Sequence, residues 1–209
     1  MDYVVMDIVQ GALAGLRQSS SLELIAVALA LSYLVLVARE NIACWFAAAG
    51  STLIYLVLFY DVGLYAESVL QIYYLGMAAY GYQQWRRGGQ HQILPIQRWS
   101  IRKHGYALLL MFVSTIVVAQ LLIKANSSAP YLDAFTTCAA VVTTYMVTQK
   151  ILENWFYWFV IDTASIVLYF QRELYFTALL FVIYLLIIVI GYRQWRLEYL
   201  RLSQSSMTR

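Results

Sequence analysis

The sequence predicts an all-α integral membrane protein of seven transmembrane helices in a 3 + 1 + 3 arrangement. Three observations carry this: the composition, seven apolar stretches of spanning length, and an internal recurrence near 110 residues. Of 209 residues, 62% are hydrophobic and 12% charged, with mean hydropathy +0.67. Soluble chains carry roughly 25% charged residues, so this chain has too little polar surface to coat a water-facing domain. Two prolines and ten glycines exclude a fibrous or disordered chain.

A span needs about 20 mostly apolar residues. In order these are Leu22–Ala38, Ile42–Tyr60, Leu64–Tyr82, Tyr106–Ile123, Tyr131–Thr148, Ile151–Phe170 and Leu174–Tyr192. Only Asp61-Val62-Gly63 separates the second from the third, and Gln171-Arg172-Glu173 the sixth from the seventh. Charged breaks this tight suit helical hairpins that turn at a membrane surface. The ten-residue alternation of a β-barrel is absent. No signal-peptide pattern is expected ahead of the first span, since Met1 to Gln18 holds Asp2, Asp7 and only Arg17 as a cation.

Lys and Arg orient the spans. One set of alternate segments holds Arg39, Arg86, Arg87, Arg98, Arg102, Lys103, Lys150, Arg193, Arg196, Arg201 and Arg209, and the other only Arg17, Lys124 and Arg172. This places the C-terminus in the cytoplasm and the N-terminus outside, in a bacterial inner (plasma) membrane. The basic loop 87–104 carries no nucleic-acid motif and reads as a topology determinant beside anionic lipid. His91 and His104 read as solvated residues of that loop. Cys44 and Cys138 lie in apolar stretches without metal or disulfide spacing and read as small buried side chains. No metal and no cofactor are expected.

Glu40-Asn41 with Trp45 matches Glu153-Asn154 with Trp158 at an offset of 113. Gly81-Tyr82-Gln83-Gln84-Trp85-Arg86 matches Gly191-Tyr192-Arg193-Gln194-Trp195-Arg196 at 110, and Leu64-Tyr65 matches Leu174-Tyr175 at 110. The expected organisation is a single membrane domain, 1–209. It comprises a three-helix repeat at 22–86, a linking helix at 105–123 and a second repeat at 131–196. The second copy would have lost three residues at its hairpin turn. One linking helix makes the repeat parallel, and a substrate is expected near mid-membrane between the copies.

Several of these residues together resemble a known family. Glu153-Asn154-Trp155-Phe156-Tyr157-Trp158, Leu70-Gln71, Asp133 after Pro130, and Tyr80-Gly81-Tyr82-Gln83-Gln84-Trp85 are similar to the PnuC family of vitamin transporters. That family includes nicotinamide riboside transporters and a thiamine branch, PnuT. The resemblance covers about residues 22–196. It implies a fold like the SWEET sugar transporters, a homotrimer, facilitated diffusion, and trapping of the vitamin by a cytoplasmic kinase.

Asp162 carries the most chemistry. It lies about eleven residues into the sixth span, near mid-bilayer, where a carboxylate costs about 2.5–3.5 kcal/mol. Trp158, Asp162, Ser165 and Tyr169 share one helical face. An indole one turn from an anion suits a flat cationic ring. The plainer reading is a carboxylate held by hydroxyls in a packing seam. Nicotinamide riboside transporters typically read Trp-x-x-x-Asn where this chain has Trp158 and Asp162. An Asp only accepts hydrogen bonds, so it suits a ligand with donors and positive charge. Thiamine is therefore the expected substrate, with nicotinamide riboside the alternative.

On the third span Glu67, Gln71 and Tyr74 share a face. Gln71 is expected to bond the ligand and Glu67 to attract cations at the outer mouth. On the fifth span Thr137 stands in a stripe with Asp133, Val141, Thr144 and Thr148, read as a water-lined wall or as packing. Trp45 is expected to repeat Trp158, with Ala49 in place of the acid. Tyr184 matches Tyr74 in level, while Trp85 and Trp195 read as interfacial belt residues. Lys150 and Glu153 form either a surface ion pair or an inner gate. No paired nucleophile and base accompanies them, so an enzyme is not expected. A receptor or assembly subunit without transport is the more distant alternative.

Overall fold

The computed structural model describes residues 10–207 except 12, 18, 62, 64 and 88–93; His91 therefore lies outside the described residues. Residues 10, 11 and 13–17 are helical. Seven long helices follow: α1 (Ser21–Ala38), α2 (Cys44–Asp61), α3 (Tyr65–Arg86), α4 (Ile101–Lys124), α5 (Pro130–Thr148), α6 (Asn154–Gln171) and α7 (Tyr175–Met207).

The ends of these helices follow from local chemistry. Ser20 caps α1, its hydroxyl accepting from the Glu23 N–H at 3.1 Å. Pro130 opens α5, where its missing N–H costs nothing. Ser100 stands at the cap position of α4, so this helix starts at Ile101 rather than at the expected 105. His104 is consequently a helical residue and not a solvated loop residue. At 33 residues α7 is about 50 Å long, far more than a bilayer core needs.

Helix ends recur at one constant offset. α2 and α6 both have 18 residues, from Cys44 to Asp61 and from Asn154 to Gln171. Left-handed backbone closes both α1 and α5, at Glu40 (φ 54°) and Lys150 (φ 49°), and recurs at Gly63 (φ 78°) and Glu173 (φ 59°). The closing hydrogen bonds match as well: Glu40 N–H to Val37 C=O at 2.9 Å and Lys150 N–H to Val147 C=O at 3.0 Å. All these pairs stand 110 residues apart. This corrects the 113 register expected around the two Glu-Asn pairs, because helix caps report structural equivalence and a repeated dipeptide does not. Trp45, second residue of α2, shares its helix position with Trp155 and not with Trp158.

Two compact units divide the chain. The first comprises Met1–Gln18, Arg98–Thr143 and Glu153–Leu186; the second comprises Ser19–Gln97, Thr144–Leu152 and Ile187–Arg209. In the first, Met111 of α4, Ala139 of α5 and Ile161 of α6 form a buried core, with Phe135, Val142, Tyr157 and Trp158 packed on it. In the second, α2 packs against both α1 and α3. There the Ser51 hydroxyl donates to Ala26 C=O at 2.9 Å, and the ring of Trp45 lies against Gly81. Any side chain at Gly81 would overlap that indole, so glycine is required by close approach.

The burial pattern is inverted relative to a water-soluble bundle. Phe46, Val69, Phe112 and Leu186 each expose more than 60% of their surface, whereas Thr143, Thr148, Lys150 and Asn154 expose none. Such a surface is matched to lipid, and the helices satisfy their own backbone as a bilayer demands. By length and composition four helical stretches qualify as spans: Ser21–Ala38, Cys44–Asp61, Ile101–Lys124 and Tyr175–Gln204. α3, α5 and α6 are less apolar, and they carry Gln71, Thr137 and Asp162.

Candidate functional site

In the first unit, α6 places Asp162 at mid-helix, 3% exposed, with Ser165 buried one turn on. Among the described residues nothing bonds or neutralises the Asp162 carboxylate. A buried ion without a partner is expensive, which marks a place where a ligand, a proton or water completes the structure. Trp158, one turn earlier, is half-buried and rests on the Met111, Ala139 and Ile161 core. That packing fixes the indole while leaving part of it accessible. Further along the same face, Tyr169 meets Phe181 of α7 with ring centroids 5.2 Å apart. Phe181 in turn meets Tyr184 at 5.2 Å. Thr137 is half-buried on α5.

The threonines beside it behave as packing residues. Thr136, Thr143 and Thr148 donate to the carbonyls of Asp133, Ala139 and Tyr145 within their own helix. Asp133 pairs with Arg172 at 2.8 Å, tying the first turn of α5 to the turn before α7.

In the second unit, α3 carries Glu67 exposed in its first turn, then Gln71 and Tyr74, both half-buried. Tyr74 lies against Tyr73 and close enough to Tyr33 of α1 to interact electrostatically. The structure assigns Trp45 to an aromatic stack rather than to these residues. Its ring lies 6.1 Å from Tyr33 and 5.3 Å from Trp85, and Trp85 lies 6.2 Å from Trp195. Trp85 and Trp195 are fully buried, which corrects their reading as belt residues. A belt residue keeps its indole N–H in the interface, whereas these two donate to Val147 C=O at 3.3 Å and Val37 C=O at 2.9 Å.

Lys150 and Glu153 do not pair with each other. Lys150, with no exposed surface, reaches Glu40 at 2.8 Å and stands 4.5 Å over the Trp85 ring. Burial draws its pKa below the ordinary lysine value, against the opposing pull of the Glu40 bond. Glu153 binds the Arg98 side chain at 2.7 Å and accepts from the Trp99 N–H at 3.3 Å, with the His104 ring 4.0 Å away. His104 also bonds the Tyr157 hydroxyl at 2.9 Å, the two rings stacked. The positive φ at Lys150 turns the chain so that residues three apart diverge. The spacing of Lys150 and Glu153 therefore misleads. The 110 offset, which relates Lys150 to Glu40 and Trp195 to Trp85, is the signal that finds the true partners.

Helices that present hydrocarbon outward and bury an unneutralised carboxylate define a multi-pass membrane transporter. A family described as "Nicotinamide mononucleotide transporter" matches residues 20–197, and the chain belongs to it, the PnuC family of vitamin transporters. It is similar to the nicotinamide riboside transporter PnuC of Escherichia coli (strain K12), at 22% identity over 209 residues and 87% of either chain. It is similar also to the riboflavin/roseoflavin transporter RibM of Streptomyces davaonensis, at 30% identity over 132 residues, 59% of this chain and 61% of that one. The crystal structure of a vitamin B3 transporter PnuC shares the fold, with TM-score 0.71 at 22% identity over 95% of this chain and 91% of that one.

Proposed function

We propose that this protein carries nicotinamide riboside into the cell across the bacterial inner membrane by facilitated diffusion. Its substrate is held on α6 by Trp158 and Asp162. The carrying observation is the buried Asp162 carboxylate, which lacks a partner one turn from an accessible indole. A pyridinium ring offers charge to the acid and a flat face to the indole, and its carboxamide offers donors for Gln71. Relatives described as nicotinamide riboside transporters put this vitamin ahead of thiamine, reversing the order expected from Asp162 alone. Thiamine stays as the second reading because it too is cationic and offers donors to a carboxylate.

Seven spans as 3 + 1 + 3, an outer N-terminus, a cytoplasmic C-terminus and a homotrimer complete the proposal. The common offset of helix ends supports a duplicated three-helix unit, at about 22–86 and 131–196, flanking the linking helix. Calorimetric titration of purified protein with nicotinamide riboside, thiamine and riboflavin tests the assignment. Tightest binding of nicotinamide riboside, with tracer uptake into proteoliposomes, is expected. Preference for a neutral flavin would remove it, and binding without flux would favour a receptor.

A further inference from the structure

Glu40 and Lys150 occupy the same position 110 residues apart, each the left-handed residue that closes a helix. They carry opposite charges and bond each other at 2.8 Å, although Lys150 has no exposed surface. Glycine is the cheap residue for this conformation, and a side chain there costs about 1–2 kcal/mol. The position therefore holds two strained residues, whose side chains meet. Around the pair the same exchange repeats: Trp85 donates to Val147 and Trp195 to Val37. The residues just before Glu40 and Lys150 on one helix are thus tied to the far end of another. Tyr33, Trp45, Trp85 and Trp195 extend the contact as a continuous run of rings.

We infer that Glu40 is a transport residue: with Lys150 and the crossed tryptophans it forms a latch that closes one end of the permeation route and must part for the vitamin to leave. This rests on the carrier reading above. A buried ion pair is suited to the task because its two states are distinct. Paired, each charge satisfies the other; parted, both need water, so opening and hydration of the exit occur together.

The latch can be read without any vitamin. The Cys44 thiol is buried and feels the Lys150 ammonium. In a Cys138→Ala background, labelling of Cys44 by N-ethylmaleimide in proteoliposomes reports opening. Glu40→Gln and Lys150→Met should each speed labelling fivefold or more. The Glu40→Gln, Lys150→Met double variant should exceed the faster single by less than twofold, since one contact is lost in every case. Trp195→Phe, which removes only the N–H to Val37, should act in the same direction and keeps the test open should a charge variant fail to fold. Labelling unchanged in the folded variants, or independent additive effects, overturns the latch. Absence of nicotinamide riboside flux in the unaltered protein overturns the substrate instead. Where flux is present, the singles should alter exchange rate fivefold while binding stays within twofold; altered binding at constant rate also overturns the latch.

Discussion

Trp85 and Trp195 are a reciprocal pair: each ends a helix, each is fully buried, and each indole N–H bonds the valine carbonyl that lies one equivalent position away in the other copy's numbering, Val147 and Val37. Their rings also meet at 6.2 Å. Replacing either by Phe removes a hydrogen bond and part of a ring, about 1–3 kcal/mol. The two losses should be similar in size and, because the rings touch, less than additive together. Thermal unfolding in detergent measures this; one silent variant beside one damaging variant would break the reciprocity.

Gly81 has no room for a side chain against Trp45. Gly81→Ala should destabilise the protein by about 1–3 kcal/mol, the usual cost of overpacking. Trp45→Leu in the same chain should recover part of the loss. An unchanged melting temperature for Gly81→Ala alone would show that the rings yield.

Trp158→Ala should weaken vitamin binding by roughly 1–2 kcal/mol, the value of a desolvated cation over an indole. Calorimetry reads it directly. An unaltered dissociation constant removes Trp158 from the site.

Asp162→Asn tests the discriminator. Replacing an acceptor-only carboxylate by an amide that both donates and accepts should shift preference further toward nicotinamide riboside and away from thiamine. The same ranking in both variants would leave Asp162 with a packing role.

Lys150 makes stability depend on pH in a definite direction. Burial lowers its pKa in the folded protein, so between that value and the ordinary lysine value the unfolded chain holds the extra proton. Stability should therefore rise as pH climbs through this alkaline window. The Glu40→Gln, Lys150→Met variant lacks the group and should show a flatter profile. Equal slopes would mean that the ammonium sheds its proton no earlier when folded.

Much of this molecule is written locally. The seven apolar stretches recur as seven helices among the described residues, with ends within a few residues for most of them. Apolar runs, Ser20, Pro130 and the charged turns act over one or two helical turns, and such signals are legible in order along the chain. Asp162 and Trp158 could likewise be placed on one face from spacing alone.

Partners were another matter. Sequence alone established a helical membrane chain, a doubled three-helix pattern and an acid set deep in the sixth span. Tertiary structure decided that Lys150 turns to Glu40 and away from Glu153, that two presumed interfacial tryptophans are buried braces, and that Trp45 stands level with Trp155. The reason is physical: a left-handed cap redirects the chain, and burial is a property of the neighbours that a residue meets rather than of the residue itself.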